Sequence, residues 1–460
     1  MPERPHEEPA GREPPMSEDA GRAPRPRLLY LAFYFPPSRA SGVYRARATA
    51  NHFTEAGWDV TVMRAPDRFY DEVTGSTDDA LTDGLHPSVT TLPQPMDFFA
   101  WETDVARYGR FRGNAPRIAK RAYDWRQRHV FPENYHSWAR HCVQAGRRLH
   151  RREPFDLILA TGNPFASFAG AWALSRLTGT PYILDYRDSW TLDLFTNGDA
   201  FEPGHPAWRW ERRVMRRASA AVFVNDALRE WHAERYPRTA ERMMVVPNGW
   251  DPDCLDPEAL DGAGAGPLSF AYVGTLTANQ PVRRMIDGFR AMTGGGDHAD
   301  ATLDLYGHLG FFVGSPDKLR ADLGLELGEE GDVRYRGPVS KTAVGEAYAA
   351  SDVLVFLAGG SKYVTSGKIF EYMATGKPIV SVHEPGSAAE ALLRDYPLWF
   401  RPERLEPEDI ARAMAEAGDA AVKDDPEDAR AGRAYGAAFT RDRALRPLQE
   451  RARAVIGGRR

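Results

Sequence analysis

The sequence predicts an α/β protein made of two doubly wound domains, each with a parallel sheet, that face each other across a cleft. Two series of short apolar segments alternate with helix-length segments along the chain, and this alternation is typical of βαβ units. A stretch of small residues at 256–267 separates the two series and indicates a linker. Because ligands of such sheets bind beyond the carboxyl ends of the strands, we expect the site in the cleft.

The first series begins with an apolar run at residues 28–33, long enough for a strand that is buried on both faces. A break at Pro36 and Pro37 and a loop through Gly42 lead into a helix, and residues 58–63 complete a βαβ unit. The later elements expected in this series are strands at 155–160, 181–186, 220–224 and 243–246, and a helix at 165–177.

The second series predicts a domain at residues 268–438, after a first domain at 27–255. Residues 66–150 are rich in aromatic side chains and are expected to form an insertion near the edge of the first domain, whereas 439–460 predict a helix that could pack back on it. Residues 1–26 have almost no large apolar side chains and predict a disordered tail. The second-domain strands are expected at 268–273, 301–306, 333–335, 353–356 and 378–382, with helices at 282–292 and 368–374.

Composition excludes several classes of function. With 59 basic and 64 acidic residues the net charge is −5, so no nucleic-acid partner is expected. Two cysteines are too few for a disulfide framework and favour a cytoplasmic location. No apolar run reaches the roughly 18 residues of a membrane helix, although arginine runs at 147–152 and 212–217 leave a weak peripheral contact with anionic lipid open.

Glycine-rich loops argue against two common nucleotide-dependent enzymes. The glycines of residues 262–266 precede a strand, whereas the dinucleotide fingerprint must follow one. The sequence also has no Gly-Lys-Ser or Gly-Lys-Thr phosphate loop. An NAD-dependent enzyme and a P-loop kinase are therefore disfavoured.

The loop at residues 36–45 lies on the predicted binding edge of the first sheet. Ser41 and Gly42 stand at the helix entrance, where free backbone amides suit an anion, although an ordinary helix cap explains them equally well. Arg45 and Arg47 are candidates for contact with a phosphate or an acceptor carboxylate, with solvated arginines as the alternative.

The segment at residues 363–371 carries the strongest signal. It follows a buried strand and runs through Ser366 and Gly367 directly into a helix, so backbone amides and the helix dipole favour binding of a diphosphate. Lys368 adds a positive charge, and Glu371, one turn further on, could accept hydrogen bonds from both hydroxyls of a ribose. A surface ion pair between Glu371 and Lys368 is the alternative, and spacing alone leaves both open.

Five segments of the sequence carry a resemblance to a known family. They are LAFYFPP at 31–37, LDYRDSW at 184–190, VPNG at 246–249, YVGT at 272–275 and IFEYMATGKP at 369–378. With them the chain resembles the GT-B-fold glycosyltransferases of family 4 over nearly all residues from 27 to 440. The resemblance implies a retaining transfer from a nucleoside diphosphate sugar, held mainly by the C-terminal domain, without a bound metal or other cofactor.

The resemblance also implies roles for single residues. Glu371 matches the second glutamate of the family's paired-glutamate motif, which holds the ribose. The Ser366-Gly367 turn matches the amides that meet the diphosphate, and Gly42 matches the N-terminal loop that approaches the donor. The Arg187-Asp188 pair matches residues near the acceptor and the reacting sugar carbon, with Arg187 standing where many relatives carry histidine.

Two departures from the family pattern concern the donor. Tyr363 stands where the first glutamate of the motif is expected, so the hold on the distal hydroxyls of the sugar is in doubt, and a deoxy or amino sugar becomes a candidate donor. After Gly274, Thr275 and Gln280 replace the Arg and Lys that commonly clamp the diphosphate. Both Gly274 and Thr275 are still expected to line the donor site, and Lys368 is the expected main replacement for the lost charge, with the arginines at 283–284 as alternatives.

The reaction requires no protein nucleophile. Breaking a sugar–phosphate bond builds negative charge on the departing diphosphate, and positioned donors around it supply most of the catalysis. A glycosidase-type pair of Asp185 and Asp188 is less favoured. Beside an active glycosyltransferase, a nucleotide-sugar epimerase and a catalytically silent relative stay open, and the acceptor can be a glycan, a lipid-linked glycan or a small metabolite.

Overall fold

The computed structural model describes residues 25–458, apart from 76, 195, 261–265, 296–297, 311–330 and 340–342. The tail expected at 1–26 therefore lies almost wholly outside the described residues, as does the glycine-rich centre of the expected linker. Nearly all the remaining predicted elements can be compared with the structure.

The first domain is built around seven parallel strands. They are β1 (Arg27–Leu31), β2 (Asp59–Arg64), β3 (Thr90–Pro93), β4 (Leu157–Gly162), β5 (Tyr182–Tyr186), β6 (Ala220–Phe223) and β7 (Met243–Val245). The longer helices are α1 (Val43–Glu55), α2 (Pro116–His129), α3 (His136–Arg152), α4 (Ala166–Thr178), α5 (Pro206–Arg217) and α6 (Asp226–Arg235). Short helical segments lie at Asp67–Phe69, Tyr70–Thr74, Ala80–Asp83, Val105–Arg107, Arg110–Asn114 and Pro237–Arg242, and a small hairpin pairs Leu192–Asp193 with Gly198–Asp199.

The second domain repeats the plan with six parallel strands. They are β8 (Ser269–Val273), β9 (Thr302–Tyr306), β10 (Val333–Gly337), β11 (Val353–Leu357), β12 (Ile379–Val382) and β13 (Trp399–Phe400). The helices are α7 (Val282–Thr293), α8 (Val344–Ala349), α9 (Lys368–Thr375), α10 (Ala388–Leu393), α11 (Pro407–Lys423), α12 (Pro426–Gly436) and α13 (Arg441–Gly457), with 3₁₀ turns at Pro257–Leu260 and Ala437–Phe439.

Strand order confirms the predicted fold class. The first sheet runs β3-β2-β1-β4-β5-β6-β7 and the second β10-β9-β8-β11-β12-β13. In each sheet the winding direction reverses once, between β1 and β4 and between β8 and β11. Every residue of β5 and β11 is buried, which is why these strands read as continuous apolar runs that need helices on both faces. The two reversal points are where a ligand is expected to bind.

The segment at 66–150, expected as an insertion, contributes to the fold near both of its ends. Strand β3 pairs in parallel with β2 as the edge strand of the sheet. Helix α3 buries Trp138 and Cys142, and a Cβ at its Gly146 would lie only 2.9 Å from Leu174 of α4. The strand escaped prediction because it is short and largely polar, and its edge position leaves it only half-buried.

The chain passes between the domains twice. Trp250 and Leu260 pack in the core of the second domain. Trp250 lies before the expected linker at 256–267, and Leu260 lies within it. At the other end, α13 crosses back. Its residues Leu445, Leu448 and Ala452 pack in the core of the first domain beside the inner strands.

Candidate active site

The carboxyl ends of the two sheets meet through a small set of direct contacts. The Nδ2 amide of Asn225 donates to the Tyr363 carbonyl oxygen at 3.0 Å and to Thr365 Oγ1 at 2.9 Å. The Nδ2 amide of Asn248 donates to the Thr365 carbonyl oxygen at 3.2 Å. Two asparagines of the first domain thus hold the turn that precedes α9, and sequence reasoning assigned neither a role, although Asn248 lies in the VPNG segment.

The turn at 366–368 presents backbone to open space. Gly367 is the N-cap residue of α9 and has no side-chain cap, and a Cβ built on it would meet no atom within 4 Å. The Lys368 amide donates to Ser366 Oγ at 3.3 Å. The helix behind the turn is buried from Ile369 onwards, so the positive end of its dipole is fixed and accessible to an anion.

Glu371 lies beneath this turn with its side chain only 6% exposed. Its Oε2 accepts a hydrogen bond from the Tyr348 hydroxyl at 2.6 Å and lies 3.3 Å from Lys368 Nζ. Burial, reinforced by the charge of Glu371, raises the pKa of Tyr348 well above its usual value, so the phenol keeps its proton and donates. The ion pair considered as an alternative is therefore present, but at an enclosed carboxylate and not on a solvated helix face.

Tyr44 brings the first domain close to this carboxylate. Burial raises the pKa of Tyr44, and the charges of Asp78, Cys254 and Glu371 raise it further, whereas Arg39 lowers it. The phenol at the start of α1 is thus within electrostatic range of Glu371 on α9.

Gly42, Arg187 and Asp188 are brought together on the first-domain side. A Cβ at Gly42 would overlap the Arg187 guanidinium, which occupies that space. Arg187 Nη2 lies 3.1 Å from Asp188 Oδ2, and the arginine side chain is 16% exposed. The resemblance placed Gly42 near the donor and Arg187 near the reacting carbon. The absence of a side chain at Gly42 leaves the space that the Arg187 guanidinium occupies.

Gly274 and Thr275 lie at the end of β8, in a loop that is closed by its own polar groups. A Cβ at Gly307 would overlap the Gly274 carbonyl oxygen, so the loops after β8 and β9 touch directly. The Tyr272 hydroxyl donates to the Thr275 carbonyl oxygen at 2.9 Å and accepts from Gln280 Nε2 at 3.1 Å. Thr275 and Gln280, the two positions at which the resemblance leads us to expect a cationic clamp, thus carry no charge. The Gln280 side chain instead stabilises the loop through its hydrogen bond to Tyr272.

Tyr363, which precedes the turn at 366–368, packs against the first domain. Its side chain is 7% exposed and packs in the apolar core of the first domain. At the position of the first motif glutamate the chain thus has a residue that joins the domains. This arrangement supplies no carboxylate to the distal hydroxyls of a sugar.

The structure overturns the expectation for Arg45 and Arg47. Arg45 Nε and Nη2 lie 3.0 and 2.8 Å from the Asp185 carboxylate, and its Nη1 donates to the carbonyl oxygens of Val246 and Pro247. Arg47 is 3% exposed and is enclosed near Asp251. Both arginines are structural, since they fix the chain that leaves β7, and Asp185 is unavailable for a glycosidase-type pair.

A third group of polar side chains flanks Arg187. The Glu133 carboxylate accepts from the backbone amides of Phe165 and Ala166 at 3.0 and 2.8 Å. Desolvation raises its pKa to about 7. Tyr34 lies within the influence of Tyr135, Arg187 and Glu133, while burial raises its pKa. Sequence reasoning missed this group because Glu133 and Tyr135 lie in the unassigned segment at 66–150.

Nowhere in the described part of the chain do three His, Cys, Asp or Glu side chains converge in a way that could hold a metal ion. None of the helices in the described ranges is long and apolar enough to cross a bilayer.

The sequence matches known families over most of its length. Residues 42–249 match the glycosyl transferase 4-like domain, and residues 267–419 match the glycosyl transferases group 1 family. The chain belongs to the group 1 glycosyltransferases of the family-4 type. It is therefore a sugar-transferring enzyme by family, although no curated protein matches it significantly.

Solved structures share the GT-B fold of this glycosyltransferase. A glycosyltransferase from Rickettsia africae ESF-5 has a TM-score of 0.62 at 11% identity, covering 94% of this chain and 99% of that chain. Sucrose-phosphate synthase from Thermosynechococcus elongatus has a TM-score of 0.60 at 15% identity, with 94% and 100% covered. Anabaena HepE in complex with UDP and glucose has a TM-score of 0.56 at 16% identity, with 92% and 98% covered.

Proposed function

We propose that this glycosyltransferase moves a sugar from a nucleoside diphosphate sugar to an acceptor, with retention of configuration and without a bound metal. The observation that carries the proposal is the turn at 366–368 with Glu371 enclosed beneath it. An open, positively polarised helix end beside a buried carboxylate offers one site for a diphosphate and one for a ribose. We place the enzyme in the cytoplasm, in keeping with its two free cysteines.

The donor is held mainly by the second domain. The diphosphate accepts hydrogen bonds from the backbone of Ser366 and Gly367. The Glu371 carboxylate accepts hydrogen bonds from the ribose hydroxyls, while Tyr348 and Lys368 contact its Oε2. Gly274 and Thr275 line the opposite wall. The structures of HepE with UDP and with UDP-glucose support a donor of this class.

Lys368 supplies the charge that Thr275 and Gln280 do not. Its side chain is 30% exposed and its Nζ lies 3.3 Å from Glu371 Oε2, so a small rotation carries the ammonium towards a diphosphate at the turn. Lys368→Ala should lower both turnover and donor affinity, because the negative charge that develops on the leaving group loses its nearest cation. Unchanged kinetics would contradict this role. Lys423→Ala, at a lysine of α11 whose side chain is 68% exposed, is the matched control.

The first domain holds the acceptor and completes the reacting centre. Arg187 faces the donor beside Gly42, and Asp188 orients the attacking hydroxyl. No covalent intermediate with the protein is required, since positioning and charge stabilisation act on the bond that breaks. A glycan, a lipid-linked glycan and a small metabolite all present such a hydroxyl.

The first test is thermal unfolding of the purified enzyme against UDP, GDP, dTDP and their sugars. A ligand at 100 times its Kd stabilises the folded state by about 2.7 kcal/mol. We expect a clear rise in Tm with one nucleotide, abolished in Glu371→Ala. Failure of every nucleotide to raise the Tm would contradict the proposed donor site.

One alternative has specific support. A catalytically silent relative that only binds a nucleotide sugar could lack the cationic clamp and the first motif glutamate. This chain has the uncharged Thr275 and Gln280 at the clamp positions and the buried Tyr363 at the glutamate position. Such a protein would give the Tm shift but no free nucleotide when candidate acceptors are added. An epimerase would instead alter the sugar and release nucleotide with no acceptor present, so a control without acceptor separates it.

A further inference from the structure

Helix α2 carries an unusual concentration of exposed apolar side chains. Of the eight large apolar residues that are exposed in the described part of the chain, five lie between residues 105 and 130. Ile118 and Trp125 are each 61% exposed and lie seven residues apart on α2, so they share one face. Phe111, 60% exposed, lies in the short helix just before α2.

The stretch that contains α2 is also strongly basic. Residues 105–130 contain eight Lys or Arg and a single acidic residue, Asp124, in a chain whose net charge is −5. That aspartate is already paired with Lys120 at 2.7 Å. Arg117, Arg121 and Arg128 follow the helical repeat beside Trp125, are exposed, and form no ion pair with any residue that the structure describes. The opposite face of α2 is the one that buries Ala119.

Helix α5 extends this basic surface. Arg209 Nη2 donates to the His129 carbonyl oxygen at 3.0 Å, and Trp210 Nε1 donates to the Val130 carbonyl oxygen at 2.6 Å, so the end of α2 is held against α5. Helix α5, whose first turn contacts the end of α2, adds five exposed arginines. They are Arg209, Arg212, Arg213, Arg216 and Arg217.

We propose that the face of α2 formed by Ile118, Trp125 and its three unpaired arginines docks on an anionic lipid bilayer. Apolar side chains that include Trp, flanked by arginines on one helix face, suit insertion at the level of the lipid headgroups, and each basic residue near the surface adds attraction to anionic lipid. A nucleic acid would engage the charges but would leave the two apolar side chains without a partner.

The position of α2 relates docking to the acceptor side of the enzyme. The chain leaves α2 at His129 and reaches Glu133 and Tyr135, beside Arg187, within six residues. Docking through α2 would therefore bring the acceptor half of the cleft close to the membrane. This consequence rests on the proposed function, whereas the docking itself does not.

Sedimentation with vesicles tests the docking without any enzymatic readout. Full-length protein is mixed with vesicles of phosphatidylcholine alone or with 30% phosphatidylglycerol, roughly the composition range that separates neutral from anionic surfaces. We expect binding to the anionic vesicles only. Arg117→Gln/Arg121→Gln/Arg128→Gln and, separately, Ile118→Ser/Trp125→Ser should each weaken binding by roughly tenfold or more.

Matched controls use exposed residues elsewhere. Arg394→Gln/Arg430→Gln/Arg446→Gln removes the same charge at exposed positions. Leu177→Ser/Val422→Ser replaces two apolar side chains that are 53% and 69% exposed. Both variants should bind as the wild type does. Absence of wild-type binding overturns the proposal. Binding that falls with the arginines but not with Ile118 and Trp125 also overturns it, because that pattern marks a general polyanion contact such as one with RNA.

Discussion

Gly42 and Arg187 form a pair whose geometry depends on the absence of a side chain. The guanidinium occupies the space that a Cβ at Gly42 would need. Because the atoms in question are the far end of a flexible side chain, an added methyl group would displace the arginine and leave the fold intact. In the proposed mechanism the glycine thus acts on the reaction through the position of Arg187.

Gly42→Ala should therefore separate catalysis from stability. We expect the rate of transfer to fall at least tenfold, since small displacements of positioned groups lower rates strongly, while the Tm changes little. Steady-state kinetics and thermal unfolding measure the two effects. The control is Gly345→Ala, where the nearest atoms lie 4.0 Å from the added Cβ. An unaltered rate in Gly42→Ala would show that transfer does not depend on the position of the Arg187 guanidinium.

Glu133 gives a prediction about pH, because desolvation raises its pKa from 4.5 to about 7. The folded state then holds the proton more tightly than the unfolded chain. The stability contributed by Glu133 is full below about pH 4.5 and is lost as the pH rises to about 7. Glu133→Gln, which stays neutral, should escape that loss.

The measurement is the difference in Tm between Glu133→Gln and the wild type across pH 5 to 7.5. The difference should increase in favour of the variant as the pH rises. His136, whose pKa burial lowers to about 4, acts in the opposite direction but is common to both proteins and cancels. A difference that does not vary with pH would mean that Glu133 titrates at its ordinary pKa.

At the scale of secondary-structure elements, the turn before α9 depends on the start of α6. Asn225 Oδ1 accepts from the Leu228 amide at 2.8 Å and caps α6, while its Nδ2 holds the turn of the other domain. One side chain therefore stabilises a helix with its oxygen and joins the two domains with its nitrogen.

Asn225→Asp should divide these two roles. The carboxylate can still cap α6, but it has no N–H to donate and faces the Tyr363 carbonyl oxygen. We expect a Tm close to that of the wild type, because α6 stays capped, and a donor KM about tenfold higher. The rise in KM follows from the loss of two hydrogen bonds to the turn, about 1 kcal/mol each, partly offset by rearrangement. Asn225→Ala should lower the Tm as well, and equal donor KM values for wild type and Asn225→Asp would argue against the tether.

At the scale of the whole molecule, the chain ends on the domain in which it began. Leu448 of α13 is fully buried among first-domain strands and helices, as are Leu445 and Ala452 of the same helix. The last helix therefore stabilises the first domain after the second domain is complete.

Leu448→Ala should destabilise the first domain by about 2 to 5 kcal/mol, the range for a leucine truncated in a core. Hydrogen exchange followed by peptide should show faster exchange in α1 and little change in α7. Met414→Ala, buried in the core of the second domain, should give the reverse pattern. Faster exchange throughout the chain in both variants would indicate that the domains unfold as one unit.

The sequence determined the fold class and most of its elements, because buried parallel strands must be continuously apolar and their helices amphipathic. It also singled out the 366–368 turn and Glu371 as candidate site residues, although spacing alone left an ion pair between Glu371 and Lys368 as an alternative. The edge strand β3 carried too little of this pattern to be recognised.

Only the tertiary structure decided which polar residues face the cleft. Arg45 and Arg187 both follow predicted sheet edges, yet Arg45 is enclosed by Asp185, whereas Arg187 lies against Gly42 beside Asp188. Local sequence does not encode whether a long side chain finds a buried partner 140 residues away, as Arg45 does. The same holds for Tyr363, Asn225 and Asn248, whose roles exist only where the two domains touch.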